Sequence, residues 1–597
     1  MTDAAQTAAK TQDLPRWNLA DLYTGTDDPK INTDLAWADE KAKALQAAYQ
    51  GKLAGLSGDA LGHAIREYEE FDERLGRVMS FASLLTSENR ENGESARFQQ
   101  TMQERITDIS TQTLFFTLEL NLIDDARLDA QFAESEALSR YRPWLRDLRA
   151  FRPHQLSDEL EHALHERHVT GSIAWTRLFD ETLAGMRFPV DGEDLTLSGA
   201  LNRLNDTDQA VRRTAAKAVG EGLGDNIKLF SLVFNTLVKD KAIDDKSRKY
   251  PRPVSFRNLA NQVEDDVIDA LTTAVHESFP RLSHRYYAQK ARWFGVDKMD
   301  YWDRNAPLPD DAAKTFTWDE ARATVLDAYG AFLPDMADIA KTFFDKRWID
   351  APPMPGKDSG AFAHPTVPSA HPYILLNFHG KSRDVMTLAH ELGHGVHQVL
   401  AAPQGNLLAN TPLTLAETAS VFGEMLTFRA MLAAETDPKR RRVLLAGKVE
   451  DMMNTVVRQI AFHIFETKVH AERGSGELAP ERICEIWMQV QSESLGPAFR
   501  FGDEYKYYWA YISHFIHVPF YVYAYAFGDC LVNSLYDVFQ GGHEGFQAKY
   551  LDMLRAGGTL RHKELLAPFG LDASDPKFWH RGLGVIEGFI DELERDL

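Results

Sequence analysis

The sequence predicts a mainly α-helical protein with a small β element, and three observations support this fold class. Long stretches repeat apolar residues every three or four positions, as amphipathic helices do; residues 33–53, 95–120 and 266–294 are examples. Strand patterns are few. A chain of 597 residues, of which 44% are hydrophobic, can bury a large core and is expected to form two lobes.

Two strand patterns interrupt the helices. The segment "MRFPVDGEDLTL", residues 186–197, is typical of a hairpin that turns at Asp191 and Gly192. The apolar run "YILLNF", residues 373–378, predicts a strand, and the proline-rich segment 347–372 ahead of it forbids a helix. The small β element is therefore expected around these two places.

The hairpin is also where we expect the chain to divide. Residues 1–200 are predicted to form an N-terminal helical lobe, and residues 201–597 a second domain that carries the candidate site residues. No Gly/Ser-rich linker marks this boundary.

Composition and charge exclude several function classes. A formal net charge of −22 opposes binding to nucleic acid or to an anionic membrane surface, because both depend on Lys and Arg. The N-terminus lacks the basic and apolar regions of a leader, and no apolar run approaches the length of a membrane span. Two isolated cysteines, Cys484 and Cys530, agree with a reducing compartment. We expect a cytoplasmic protein.

The segment "TLAHELGHGVHQ", residues 387–398, predicts a metal site on a helix. At about 100° per residue, His390 and His394 share one face one turn apart, which lets both imidazoles reach one tetrahedral zinc ion. Glu391 is rotated off that pair and can serve as a base. This is the H-E-x-x-H arrangement of zinc peptidases. The neighbours are apolar, so an unpaired cluster would carry a large desolvation cost.

A third ligand is needed, and Glu417 is the best candidate. It lies in "TPLTLAETASVFGEML", residues 411–426, whose apolar residues recur with helical period. The alternative is a capping box in which Glu417 closes on Thr414. His397 is expected to pack near the site instead, since seven residues at ~1.5 Å each place it about 10 Å along the axis from His390.

A second unusual stretch, "YKYYWAYISHFIHVPFYVYAYAFGDC", residues 505–530, alternates tyrosines and two histidines with apolar residues. Buried phenols need hydrogen-bond acceptors, and Tyr or His donors can stabilise a developing oxyanion. The alternative is an aromatic core whose hydroxyl groups bond to backbone carbonyls.

Several motifs, in order along the chain, resemble the oligoendopeptidase F family of zinc metallopeptidases, relatives of thimet oligopeptidase. They are "RWNLADLY", "YWDRNAP", "SGAFAHPTVPSAHPYILLNFHGKSRDVMTLAHELGHGVHQ", "TLAETASVFGE", "HFIHVPFYVYAYAFG" and "AGGTLRHKELLAPFG". The resemblance implies that His390, His394 and Glu417 bind Zn²⁺ and that Glu391 is the catalytic base.

The resemblance also implies a histidine and tyrosines that stabilise the transition state. They fall among His514, His517, Tyr521, Tyr523 and Tyr525, and we select His514, Tyr521 and Tyr523.

The fold that the resemblance implies is a two-lobed helical metallopeptidase with a deep central channel and a small β element beside the zinc site. Such a protein would be a zinc-dependent endopeptidase that hydrolyses internal peptide bonds of short, unstructured peptides. We further expect residues 374–378 to form an exposed strand edge that binds the peptide main chain. Glu424 and Asp384 are candidates to orient the imidazoles, or are ordinary helix charges.

Other functions remain open from the residues. A helical zinc carboxypeptidase or dipeptidyl carboxypeptidase can share this ligand set. The sequence Glu391-x-x-His394 also fits half of a di-iron carboxylate motif. A third alternative is a non-catalytic peptide-binding module that keeps zinc for structure.

Overall fold

The structure, a computed structural model, describes residues 14–309 and 314–595 and confirms the mainly helical prediction. Residues 1–13, where the sequence predicts no leader, lie outside the described residues. Within the described part of the chain, no helix combines the length and the apolar character needed to cross a bilayer.

The chain forms two compact units, each built from three segments. The first unit comprises Met1–Arg152, Ala313–Ala434 and Gly542–Gly570. The second comprises Pro153–Ala312, Glu435–Gly541 and Leu571–Leu597.

The first unit consists of helices around a small sheet. Its helices are Pro29–Tyr49, Gly58–Glu88, Gly93–Thr111, Leu114–Leu122, Asp125–Glu134, Glu136–Ser139, Arg142–Arg149, Trp318–Phe332, Pro334–Asp345, Ser382–Ala401, Leu413–Ala434, Phe546–Arg555 and His562–Leu566. One apolar core joins the N-terminal segment to the sheet: Trp17, Leu35 and Phe81 are buried in the same cluster as Tyr373 and Leu375.

The sheet of the first unit has three strands, and the predicted strand is its central one. Tyr373–Leu375 lies between Ile349–Asp350, to which it is parallel, and Phe362–His364, to which it is antiparallel. The amide of Ile374 donates to the carbonyl of Trp348 at 2.9 Å, and Leu376 donates to Asp350 at 3.0 Å.

The expectation that residues 374–378 form an exposed, peptide-binding edge is therefore wrong. Their amides are already used by a neighbouring strand, and Ile374 and Leu376 are buried. A continuous apolar run indicates that both faces of a strand are buried, which is typical of central strands. The run does not show whether the backbone of the strand is left unpaired, so it could not identify an edge. The edge strands of this sheet are Ile349–Asp350 and Phe362–His364.

The second unit is also helical. Its α-helices are Asp158–His168, Ser172–Gly185, Leu197–Asn202, Gln209–Asp225, Ile227–Arg248, Ser255–Ala260, Asp265–Ser278, Ser283–Trp293, Pro438–Met452, Arg458–Arg473, Pro480–Leu495, His514–His517, Tyr523–Gln540 and Pro576–Arg595. A π-helical turn spans Met453–Val457, and a 3₁₀ helix spans Asp503–Tyr511. Its core includes Phe234, Phe465, Trp487 and Phe515.

The predicted hairpin is present in the second unit. Strands Phe188–Val190 and Glu193–Leu195 pair antiparallel, with Val190 opposite Glu193. Asp191 and Gly192 have φ values of 52° and 86°, so both turn residues are left-handed, as a tight two-residue hairpin requires. The Asp-Gly pair therefore determines this turn from local sequence alone.

Candidate active site

The helix Ser382–Ala401, which we call the histidine helix, places two imidazoles side by side. His390 and His394 are half-buried, and their ring centroids are 4.9 Å apart. Leu388, Leu392 and Val396 are fully buried on the side of this helix that packs into the unit. Burial of that apolar face fixes the rotation of the helix, and with it the direction of both histidines.

The helix Leu413–Ala434, the glutamate helix, brings a carboxylate to the two imidazoles. Glu417 Oε2 lies 3.4 Å from His390 Nε2 and 3.5 Å from His394 Nε2. The hydroxyl of Ser420 donates to the same oxygen at 2.6 Å. Thr414 lies inside the first turn of this helix and not before it, so the predicted capping box is not how Glu417 is used.

These three side chains fit a tetrahedral metal ion. Two donors that are each about 2.0–2.1 Å from one tetrahedral ion lie roughly 3.3–3.4 Å apart. The observed separations of 3.4 and 3.5 Å match this requirement. The three donor atoms all lie within 4.8 Å of one another. His390, His394 and Glu417 can therefore hold one metal ion.

A glycine permits the close crossing of the histidine helix and the glutamate helix. A Cβ atom at Gly393 would lie 2.4 Å from the carbonyl oxygen of Ala419. No real side chain fits at that distance, so the helices approach backbone to backbone here. The glycine of "HELGH", Gly393, thus allows the two helices to approach closely enough for Glu417 to reach the histidines.

Glu424 orients His390. Its carboxylate oxygen Oε2 lies 3.2 Å from His390 Nδ1, on the far side of the ring from Glu417. A carboxylate on the second ring nitrogen fixes the tautomer that leaves Nε2 free to bind a metal. Asp384 acts on the backbone instead, since its carboxylate accepts hydrogen bonds from the amides of His379 and Lys381 at 2.8 and 2.9 Å. It caps the helix and touches neither imidazole.

We expect Glu424→Ala to lower metal affinity about 10- to 100-fold, because the imidazole loses its orienting partner. Competition with a chromophoric chelator measures this. Asp384→Ala is the matched control from the histidine helix: it should cost about 1 kcal/mol of stability as a lost cap and leave metal affinity unchanged. Equal affinity of the Glu424 variant and the wild type would contradict the orienting role.

Charge coupling prepares the site for a cation. Burial works against a charged His390, but its contact with Glu424 and the nearby carboxylates outweigh burial and raise its pKa to about 9. Burial alone would raise the pKa of Glu417, yet His394 and His390 hold it below its usual value. Burial lowers the pKa of His394 to about 4. The negative charge of Glu417 thus faces both imidazoles. A metal ion that binds there has to displace the proton of His390.

Glu391 has the environment of a general base. It is buried and accepts a hydrogen bond from the amide of Ala363 in the edge strand Phe362–His364. Burial raises its pKa to about 7, against the lowering effect of His390. A carboxylate that titrates near neutral pH can both take and return a proton. The Ala363 amide has no side-chain signature, so the sequence could not indicate it.

His397 is not a donor to this group. It is buried, its Nε2 lies 3.3 Å from the hydroxyl of Thr411, and burial lowers its pKa to about 4. This agrees with its predicted packing role.

In the second unit, three of the five candidate transition-state residues come together: the selected His514 and Tyr521, and Tyr525, which was not selected. His514 Nε2 lies 3.3 Å from the hydroxyl of Tyr525. The ring of Tyr521 packs against both, with centroids 6.0 Å from His514 and 5.3 Å from Tyr525. Tyr525 is 37% exposed, so the group presents donors at an accessible surface. We call these three residues the His514 group.

Tyr523 lies in a different environment. It is fully buried, and its hydroxyl accepts a hydrogen bond from Asn261 at 2.9 Å. His517 pairs with Asp180 at 2.8 Å. Tyr521 lies just before the helix Tyr523–Gln540 and its ring packs on that of Tyr525 in the first turn, four residues on, whereas Tyr523 at the start of the helix points to Asn261. That spacing was the signal that could have favoured Tyr525 over Tyr523.

Comparison with known proteins identifies the family. Residues 203–585 match the sequence profile of peptidase family M3, and residues 119–188 match that of oligopeptidase F. The chain is 27% identical to oligopeptidase PepF of Bacillus subtilis, over 97% of this chain and 86% of the relative. It is 24% identical to the plasmid-borne oligoendopeptidase F of Lactococcus lactis subsp. cremoris, over 97% and 96% of the two chains.

The fold has known counterparts. The crystal structure of oligoendopeptidase F from Enterococcus faecium superposes with a TM-score of 0.72 and 22% identity, covering 96% of this chain and 99% of the other.

Proposed function

The chain belongs to peptidase family M3, and on that premise we propose that it is a zinc-dependent endopeptidase that hydrolyses internal peptide bonds of short, unstructured oligopeptides. One observation supports this most directly: His390, His394 and Glu417 present donors at tetrahedral separations beside the buried carboxylate of Glu391. Membership in a peptidase family also argues against a di-iron protein and against a non-catalytic peptide-binding module.

His390, His394 and Glu417 would hold the zinc ion, with Glu424 behind His390. Nitrogen and carboxylate donors in a set of three, with a fourth position left for water or substrate, are typical of catalytic zinc. When bound, zinc supplies Lewis acidity at the scissile carbonyl and makes water easier to deprotonate.

Glu391 would move the proton. Its carboxylate takes a proton from the attacking water, holds it while the carbonyl carbon becomes tetrahedral, and delivers it to the leaving amine. The raised pKa of Glu391, about 7, suits both transfers at neutral pH. The hydrogen bond from the Ala363 amide keeps the carboxylate in one orientation.

The His514 group would stabilise the oxyanion. Each donor aimed at the developing negative charge is worth about 10²-fold or more in kcat. The sequence selects His514 and Tyr521, and Tyr525 joins them through its contact with His514. A direct role for Tyr523 stays a prediction, since its hydroxyl bonds to Asn261.

The remaining expectations stay part of this proposal. An N-terminal lobe of residues 1–200 and a catalytic domain of residues 201–597 stay a prediction: the M3 profile begins at residue 203, but residues 1–152 form one compact unit with the histidine helix and the glutamate helix. The deep channel stays a prediction, as does a protein without nucleic-acid or membrane partners. A cytoplasmic location is supported by the free, buried thiols Cys484 and Cys530.

Mass spectrometry tests the proposal. Zinc-loaded protein is incubated with a mixture of short peptides and one folded protein, with and without a chelator. We expect chelator-sensitive cuts inside the short peptides and none in the folded protein. Removal of one or two C-terminal residues would favour the carboxypeptidase or dipeptidyl carboxypeptidase alternative, and no cleavage at all would contradict peptidase activity.

A further inference from the structure

Two arginines of the second unit carry charges that the mechanism above does not use. Arg304 lies in the "YWDRNAP" segment, directly after the 3₁₀ turn Tyr301–Asp303. Arg458 opens the helix Arg458–Arg473. Both side chains are partly exposed, and across residues 14–309 and 314–595 neither forms an ion pair with a carboxylate.

Other cations of the same unit show how unusual this is. Arg212 is buried and bound to Asp303 at 2.8 Å, and Lys290 is buried and bound to Glu450 at 2.5 Å. Charges held away from bulk water are normally paired, because desolvation is costly without a counter-ion. Arg304 and Arg458 lack such partners among the described side chains, and Arg458 Nε is a buried donor without an acceptor.

Both arginines lie beside one set of tyrosines: Arg304 follows Tyr301, whose ring centroid is 4.7 Å from that of Tyr505, by three residues, and Arg458 contacts Tyr511. Burial, and after it the charge of Arg304, holds the pKa of Arg458 below its usual value. Burial raises the pKa of Tyr505, while the charges of Arg304 and Arg458 oppose that rise. Two guanidinium groups beside the same tyrosines, neither in an ion pair with a described carboxylate, offer a site for an anion.

Tyrosines line this positive site. Tyr505, Tyr508 and Tyr511 are spaced three apart on the 3₁₀ helix Asp503–Tyr511, where side chains three apart lie in a row. Their consecutive ring centroids are 4.9 and 5.7 Å apart. At the end of the row, Arg458 Nη2 donates to the hydroxyl of Tyr511 at 3.3 Å, so that hydroxyl can in turn donate to a ligand.

A π-helical turn in the backbone directly precedes Arg458 and affects where its side chain points. The π-helical turn Met453–Val457 precedes it, and the amide of Arg458 donates to the carbonyl of Met453, five residues back. Such turns shift the register of the side chains that follow and occur frequently at functional sites. Tyr511, whose hydroxyl Arg458 contacts, lies only three residues before His514. The positive site therefore adjoins the His514 group.

We propose that Arg304, Arg458 and the hydroxyl of Tyr511 form a subsite that binds a carboxylate of the peptide substrate near the bond that is cut. This inference rests on the proposed function, since it takes the His514 group as the place of the scissile carbonyl. Guanidinium groups match the planar carboxylate with paired N–H donors. The carboxylate is either the C-terminal one or the side chain of an Asp or Glu near the cut.

A set of matched peptides tests the subsite in the unmodified enzyme. Four versions of one cleaved peptide are compared. The C-terminus is either free or amidated, and for each of these the residues next to the cut are either Glu or Gln. We expect kcat/KM to fall about 10- to 100-fold when the recognised carboxylate is neutralised. Loss on amidation assigns the C-terminus, and loss on Glu-to-Gln exchange assigns the side chain. Equal cleavage of all four peptides would overturn the subsite and leave the peptidase function standing.

Arginine variants complete the test. Arg304→Gln and Arg458→Gln should each lower kcat/KM for the charged peptide far more than kcat/KM for the neutral peptide, and so reduce the preference for the charged peptide. The matched control is Arg500→Gln, an exposed arginine of the same unit that pairs with Asp300 at 3.0 Å; it should keep the full preference. Thermal melting checks that each variant is folded. An equal loss on charged and neutral peptides would show that the arginines only support His514, which refutes carboxylate binding.

Discussion

Replacing Glu391 by glutamine is expected to lower kcat by about 10²- to 10⁴-fold while the protein stays folded and keeps its metal. The glutamine amide has nearly the shape of the carboxylate, and its oxygen still accepts the hydrogen bond from the Ala363 amide. The packing of the histidine helix beside the strand Phe362–His364 should therefore persist. What is lost is the group that takes and returns a proton at a pKa of about 7. Metal affinity should not fall, because His390, His394 and Glu417 are untouched.

The measurement combines steady-state kinetics on a cleaved peptide with metal analysis of the same sample. Asp384→Asn is the matched control: it makes the same carboxylate-to-amide change on the histidine helix, at a residue that contacts only backbone amides. It should retain kcat. A Glu391→Gln variant with near wild-type kcat would refute the assignment of the base.

The second large effect is expected for Glu417→Ala, which removes a proposed zinc ligand. Positioning residues behind a ligand typically contribute 10- to 100-fold to metal affinity, so the loss of the ligand itself should exceed ~100-fold. The variant lacks the carboxylate oxygen that lies 3.4 Å from His390 Nε2 and 3.5 Å from His394 Nε2. Activity should disappear at low zinc and return in part when zinc is added in excess.

Thermal shift separates this loss from misfolding. Zinc should raise the Tm of the wild type in proportion to the logarithm of its concentration above Kd, because it binds the folded state. The Glu417→Ala variant should melt as a folded protein and show no shift at the same zinc concentration. Ser420→Ala removes the hydroxyl that donates to Glu417 Oε2 at 2.6 Å and to the Glu417 carbonyl at 3.2 Å; it is the matched control and should keep most of the shift. An unchanged shift for Glu417→Ala would remove this residue from the ligand set.

The candidate metal site could be predicted because its parts are close together in the sequence. His390 and His394 are one helical turn apart, so periodicity alone places them on one face. Glu417 follows on the next helix, and the close crossing at Gly393 leaves little freedom in where it arrives. The hairpin at Asp191 and Gly192 was predictable for the same reason, because a local left-handed turn decides it.

Other features depend on contacts between distant residues, which periodicity does not record. The sequence predicted that "YILLNF" is a strand, but its place at the centre of the sheet depends on Ile349–Asp350 and Phe362–His364. The exclusion of Tyr523 from the His514 group depends on Asn261, which lies far away in the sequence. The segments of each compact unit are likewise joined by packing, and no composition change marks where they begin.

The three-segment construction of the first unit has a consequence for how the protein is made. Residues up to 152 leave the ribosome long before residues 313–434 and 542–570, which complete the same unit. At ~5–20 residues per second, the last segment follows the first by roughly 20–80 s. Tyr373 and Leu375, the later partners of Trp17, Leu35 and Phe81 in one core, belong to the middle segment and follow residue 152 by roughly 10–45 s at the same rate. Until then the N-terminal helices must cover their apolar faces with one another, or with chaperones.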